Sequence, residues 1–365
     1  MAHFIEHMLF KGTNKRRSAQ IINRLEDVGG ELNAYTSKEE TVVYAGFLNQ
    51  YAERTIELIA DLIQHSTFPQ SEMDKEITVI LDEIQSYNDS PGDLIYDDFE
   101  EMLFHSHPMA HSVLGLKENL ELFTSQKARE FYHNFYQPEN MVFFFTGNVD
   151  FKKIVKWVGK HFDFQPNGFN KQVRVMPAAA IPERKNLKRD TFQTHCLMGA
   201  RTFDIYHKER MTLYLVNNIL GGPGMNSRLN LSLREKNGLV YSVDSTVQTF
   251  TDCGWWGVYF GTDPENADKC ERLVQKELMK LCDKKISEAK LKKYKLQLMG
   301  QLAISSENKE NVALSLGKSY LRYGKYDSNE QVQEKIDAIT AEQLMQIARE
   351  VFDVNKLSVL RYTRS

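Results

Sequence analysis

His3, Glu6 and His7 stand close together in the segment HFIEH. On a helix, positions i and i+4 stack on one face, so both imidazoles reach a single ion and Glu6 borders it. A catalytic zinc takes two or three nitrogen or oxygen ligands and keeps one position open for water. A carboxylate beside that water can take its proton once the metal has made the water acidic. Taken alone, the motif also fits an exposed helix that happens to carry two histidines. A second group, His105, His107 and His111, lies in a proline-containing loop with no carboxylate at ligand spacing, and reads as a surface loop.

The elements that must position these residues follow from periodicity and punctuation. Ala2 to Phe10 reads as a helix stopped at Gly12, and Ser18 as the cap of a second helix closed by Gly29 and Gly30. ELNAYT (31–36) and TVVYAGFL (41–48) read as strands joined by a polar turn. Helical patterns follow near 50–66 and 72–88, then from Pro91 to about Phe104, near 125–136 and over 151–162; MVFFFTG (141–147) reads as a strand. Strand pairs alternating with long helices predict an α+β fold, a mostly antiparallel sheet with helices packed on one face.

A length of 365 residues suggests two domains. Pro166, Pro177, Pro182 and the run AAA break the pattern, so the expected division is 1–165, a linker over 166–187, and 188–365. An internal repeat supports two homologous domains: the segment from Thr124 aligns without gaps on the segment from Thr340. A second echo pairs RLEDVGGELNAYTS with SLREKNGLVYSVDS, matching Gly30 with Gly238 and Asn33 with Tyr241.

A net charge of −3 leaves no basic surplus to hold a nucleic acid. No apolar run reaches membrane-spanning length. Cys196, Cys253, Cys270 and Cys282 form no CxxC pair, so reduced thiols and a cytoplasmic location are the simpler expectation. The glycine-rich GGPGMNS (221–227) matches no nucleotide-binding pattern.

The order HxxEH, with the segments that follow it, resembles the pitrilysin, insulinase and mitochondrial processing peptidase family of zinc metallopeptidases, in a short, bacterial-type form. The resemblance covers nearly the whole chain. It implies zinc held by His3, His7 and a glutamate about 76 residues beyond, which falls on Glu83, with Glu76 on the same helix face orienting a ligand. LNAYTSKEETVVY resembles the family's active-site edge strand, which implies that substrate adds as a strand with Asn33 and Ala34 flanking the scissile bond. SRLNLSLREKNGLVYSV resembles the C-terminal signature, which implies that Arg234 binds substrate backbone and Tyr241 donates to the developing oxyanion.

The resemblance thus implies a zinc endopeptidase acting on peptides or unfolded segments, with zinc-bound water activated by Glu6. It further implies a homodimer in which the zinc site of one chain meets Arg234 and Tyr241 of the other. The alternative is an inactive scaffold subunit of the same fold. Only Met1 and Ala2 precede His3, so the domain's first strand, and any leader, are expected to be missing, which could itself leave the chain inactive.

Overall fold

The computed structural model describes residues 1–164 and 174–364, so the first part of the expected linker lies outside the described residues. In chain order the first half carries α1 (Ala2–Leu9), α2 (Ser18–Glu26), β1 (Glu31–Thr36), β2 (Thr41–Gly46), α3 (Ala52–His65), α4 (Gln70–Asn88), α5 (Pro91–Phe104), α6 (Lys117–Leu120), α7 (Ser125–Phe135) and α8 (Phe151–His161). The second half carries β3 (Arg184–Arg189), β4 (Thr194–Thr202), α9 (Arg210–Gly221), a π-helix (Asn230–Glu235), β5 (Val240–Thr249) and β6 (Gly254–Thr262). α10 (Ala267–Asp283), α11 (Glu288–Ser305), α12 (Lys309–Tyr323), α13 (Asn329–Asp337), α14 (Ala341–Val351) and β7 (Ser358–Arg364) complete it. The fold is α+β, and the described chain forms two compact units. α12 belongs to the first unit, with most of the first half, and α5 belongs to the second.

In the first unit β1 and β2 form an antiparallel pair, Asn33 opposite Tyr44 and Thr36 opposite Thr41. The segment 141–147, expected as a strand, makes no ladder, because the first-half sheet is this pair alone among the described residues. α1 turns Phe4, Ile5, Met8 and Leu9 into a core shared with Ile63, Phe68, Met73, Ile80 and Tyr132. Four such side chains, at about 1.5–3 kcal/mol each, hold a helix of only eight residues that would not persist alone.

Ser18, expected as the second helix's cap, is its first residue instead; the Arg17 N–H at the cap position is taken by Gln20 Oε1 at 2.9 Å. The loop between α1 and α2 is tied to α3 through the buried Asp61. Its Oδ2 accepts from Thr13 Oγ1 at 2.8 Å and Arg16 Nη1 at 2.6 Å. Arg16 Nη2 also reaches both Glu57 oxygens, at 2.7 and 2.8 Å.

The second unit is built on a five-stranded sheet ordered β3-β7-β4-β6-β5, with β3 and β7 parallel and the other neighbours antiparallel. Alternation along the strands sends Met198, Trp256, Val258 and Val359 toward α9, α10 and α14, the helical layer expected. The other face, carrying Leu197, Trp255, Leu360 and Tyr362, is covered as well, by Leu94, Phe99 and Leu103 of α5. All four cysteines are free. No described helix is long and apolar enough to cross a membrane.

The repeat has a structural counterpart. Thr124 and Thr340 each cap a helix through the side-chain oxygen, and a short 3-10 turn follows at the same offset, Pro138–Asn140 and Val354–Lys356. The second echo shifts by one residue. The left-handed glycine two positions before each strand is Gly29 (φ 71°) in one copy and Gly238 (φ 58°) in the other. Matched on that glycine, Tyr241 falls with Leu32, one residue from the gapless pairing with Asn33.

Removing the Asp61 carboxylate should leave Arg16 half-paired in a largely buried place. Asp61→Ala is therefore expected to cost about 3 kcal/mol, read as a lower urea midpoint at unchanged slope.

Candidate metal centre

With the apolar face of α1 committed to the core, His3, Glu6 and His7 come to the side facing α4. The two imidazoles lie edge to face with ring centroids 4.6 Å apart, and their Nε2 atoms are 3.2 Å from each other. On α4, Ile80 is buried between Glu76 and Glu83, one turn to either side on the same face. Glu83 Oε2 lies 3.7 Å from His3 Nε2 and 3.6 Å from His7 Nε2. Donors at 2.0–2.1 Å from a tetrahedral ion would be about 3.3 Å apart, so these three atoms need move only tenths of an ångström to share one. Among the described residues, His3, His7 and Glu83 form the one group with three such donor atoms within 4.8 Å. The chemistry of the set, two imidazoles and one carboxylate with the Glu83 side exposed, fits zinc with an open position.

Glu76 fixes the orientation of His7. Its Oε1 is 2.8 Å from His7 Nδ1, and its Oε2 takes Lys11 Nζ at 2.5 Å. Burial alone would raise this carboxyl, but the hydrogen bonds from Lys11 and His7 hold it below the usual carboxylate range. An ionised carboxylate only accepts, so His7 donates from Nδ1 and turns Nε2 toward the site. Burial, then the neighbouring His7 and the N-terminal amine, push His3 down to about 4. It is therefore neutral at ordinary pH, as a ligand must be, although its buried Nδ1 has no hydrogen-bond partner.

Glu6, also buried, points its carboxylate at the end of β1, where Oε2 accepts from Thr36 Oγ1 at 2.6 Å. Burial raises its pKa, and the Thr36 hydrogen bond opposes that rise. Thr36 and Lys11 are the two site residues that sequence reasoning passed over. Thr36 was legible only as one half of a Thr–Thr pair across a short turn, and Lys11 as the cation one turn beyond His7.

Asn33 and Ala34 lie on β1, whose second edge has no strand beside it among the described residues. Asn33 Oδ1 accepts from the Ala34 N–H at 2.8 Å. In the second unit, Arg234 stands on the π-helix and Tyr241 where the β5–β6 register slips between Val240 and Val243. Both line a cavity of about 760 Å³, and Tyr241 is 83% exposed. His107, by contrast, has both ring nitrogens engaged, Nδ1 accepting from the Met109 N–H in its own loop and Nε2 donating to the distant Val175 carbonyl at 2.8 Å.

Two measurements check this geometry. Glu76→Gln should weaken zinc binding about 10–100-fold in a chelator competition, because the acceptor that fixes the His7 tautomer loses its charge. In the metal-free chain the unfolded state takes up the His3 proton near its ordinary 6.5 and the folded state only near 4. Folding stability carried by this group is thus full above 6.5 and falls as pH drops toward 4. Denaturation at pH 7 and pH 5 should show a drop that is smaller in His3→Gln.

The chain also matches known proteins. Residues 1–117 match the family description "Insulinase (Peptidase family M16)", and residues 123–298 match "Peptidase M16 inactive domain". A protein of Bacillus subtilis (strain 168) named an uncharacterized zinc protease is 31% identical over 355 residues, 96% of this chain and 85% of its own length. One of Mycobacterium leprae, also named an uncharacterized zinc protease, is 33% identical over 361 residues, 96% of this chain and 80% of its own. The crystal structure of a protease from Helicobacter pylori superposes with a TM-score of 0.89 at 21% identity, covering 99% of this chain and 89% of that one. A Pseudomonas fluorescens structure described as a peptidase M16 inactive domain gives 0.87 at 18% identity, covering 99% and 87%. The two structures share its fold, and on the sequence matches this chain belongs to the insulinase family, peptidase family M16.

Proposed function

We propose that the chain is a zinc-dependent endopeptidase that hydrolyses peptides or unfolded polypeptide segments. The observation that carries this reading is the convergence of His3, His7 and Glu83 donor atoms with the Glu6 carboxylate held beside them. Zinc, when bound, supplies a Lewis acid that acidifies water and polarises a carbonyl. Glu6 then accepts the proton of the attacking water and returns it to the leaving nitrogen. Its raised pKa suits both halves of that task. β1 offers its open edge to the substrate backbone, with Asn33 and Ala34 beside the bond to be cut; main-chain pairing of this kind gives affinity with loose sequence preference. Arg234 holds substrate backbone, and the Tyr241 hydroxyl donates to the carbonyl oxygen as it gains charge.

Arg234 and Tyr241 act, in this reading, on the zinc centre of a second copy of the chain, giving a homodimer with two composite sites. Their exposure supports it, since a phenol meant for a substrate held elsewhere must stand free of its own unit. A non-catalytic scaffold is the second reading, favoured by the name "inactive domain" attached to residues 123–298. That match begins beyond all three candidate ligands and Glu6, and a scaffold has no need to keep them.

Glu6→Gln should retain near-stoichiometric zinc and lose at least about a hundredfold in kcat on a quenched fluorescent peptide. Zinc without turnover in the parent chain would sink the peptidase reading and leave the scaffold. Mixing Glu6→Gln with Tyr241→Phe tests the composite site. If copies exchange freely, half the dimers hold one site with neither change, and about a quarter of parental activity returns. No recovery from dimers shown to exchange would place both residues in one chain's site.

A further inference from the structure

We propose that Thr36 is a positioning residue for the Glu6 carboxylate, and that β1 thereby sets the direction of the base as well as the edge that receives substrate. The inference rests on the peptidase reading above for its consequence, but its geometry stands without it.

Thr36 Oγ1 lies 2.6 Å from Glu6 Oε2 and 3.1 Å from Thr41 Oγ1. An ionised carboxylate has no proton to give, so Thr36 must donate to Glu6. Its oxygen is then free to accept, and Thr41, directly opposite in the β1–β2 register, donates to it. The two hydroxyls thus point one way, a short polarised chain ending on Oε2. With Oε2 engaged, Oε1 is the oxygen left to face the metal centre. Glu6 has three rotatable bonds on a helix whose other face is packed, and among the described residues no other side chain is placed to hold its carboxylate by a hydrogen bond.

The hydroxyls are themselves well seated. The turn between them is closed by the Ser37 N–H donating to the Glu40 carbonyl at 2.8 Å. Glu40 is in turn gripped by α12: Arg322 Nη2 lies 2.5 Å from its Oε2, and Lys318 Nζ 3.3 Å from its Oε1. Lys318 also sits over the Tyr35 ring, 4.9 Å from the centroid. A hydrogen bond between two exposed, mobile groups would orient little. Here the donor is fixed by a ladder, a turn and an ion pair, so it can orient the acceptor.

The test compares Thr36→Val, which keeps the shape and removes the donor, with Thr36→Ser, which keeps the donor. Each is assayed for kcat and KM on a quenched fluorescent peptide and for zinc per chain, with thermal melting to verify folding. The expected result for Thr36→Val is a fall of about 10–100-fold in kcat at unchanged KM and zinc content. Thr36→Ser should stay within about threefold of the parent. The inference is overturned if Thr36→Val keeps its kcat, if Thr36→Ser falls as far, or if zinc is lost along with turnover. Should the parent bind zinc and cleave nothing, the peptidase reading fails separately, and crystal structures of the parent and Thr36→Val decide this one. A Glu6 carboxylate that turns away in the variant supports it; one that stays in place overturns it.

Discussion

The hydrogen bond between His7 Nδ1 and Glu76 Oε1 is the contact on which the site depends, because it makes one demand on chemistry and another on packing. Chemically, it places the His7 proton away from the metal side, and Lys11 keeps the carboxylate ionised so that the arrangement cannot reverse. Mechanically, it requires α1 and α4 to lie one hydrogen bond apart. The core enforces that separation: Met8 and Leu9 on one helix and Met73 and Ile80 on the other are buried together. A helix of eight residues can therefore hold its polar side chains in fixed places only because half of it is core. The same division explains the alternation in HFIEHML, in which apolar and functional positions interleave at helical spacing.

The two units are each completed by a helix from the other half of the sequence. α5 directly follows the ligand helix α4 yet closes the outer face of the second unit's sheet, burying Leu94, Ile95, Phe99 and Leu103 there. α12 directly follows α11 and belongs to the first unit, where Arg322 and Lys318 hold the β1–β2 turn. Burial raises the Glu40 carboxyl, but Arg322, then Lys318, bring it below its usual range. Glu40 is thus ionised in a nearly closed place, and a charge there without both cations would be costly. The turn that carries Thr36 and Thr41 is fixed by residues nearly three hundred positions away in sequence. A cut at the midpoint of the chain would leave each half without one of its own helices.

Helical spacing made HFIEH legible, since i and i+4 on a short amphipathic segment admit few alternatives. Glu83 was not legible from local pattern. A glutamate on an exposed helix face has no signature, and only the family's spacing singled it out. The start of α5 followed from Pro91 after Ser90, whereas Ser18 misplaced the start of α2 by one residue. The stretch 141–147 has the composition of a strand, but a strand is a relation between two segments, and composition cannot supply the second one. The one-residue slip in the repeat has a similar origin. Nothing in NLSLRE distinguishes a π-turn from an α-turn, and the gapless alignment differs by one residue at Tyr241 from a match on the left-handed glycines. Both faces of GWWGVYFG are apolar, which signals a doubly covered strand, yet the covering helix α5 comes from before residue 105 and could not be assigned by order.

Charge completes the account of why these side chains tolerate one another. Glu6, Glu76 and Glu83 bring three negative charges to two imidazoles that must be neutral to serve as ligands, and Lys11 offsets one of them. The remaining excess of two equals the charge of a divalent cation. Without that cation Glu6 feels Glu83 as a like charge, one of the influences that raise its pKa, alongside the larger effect of burial. A dication held by His3, His7 and Glu83 would reverse the sign of that influence and favour the ionised form of Glu6. In the proposed peptidase, the carboxylate that takes the proton would thus be made ready by the event that assembles the site, with one of its two oxygens engaged by the Thr36 hydroxyl.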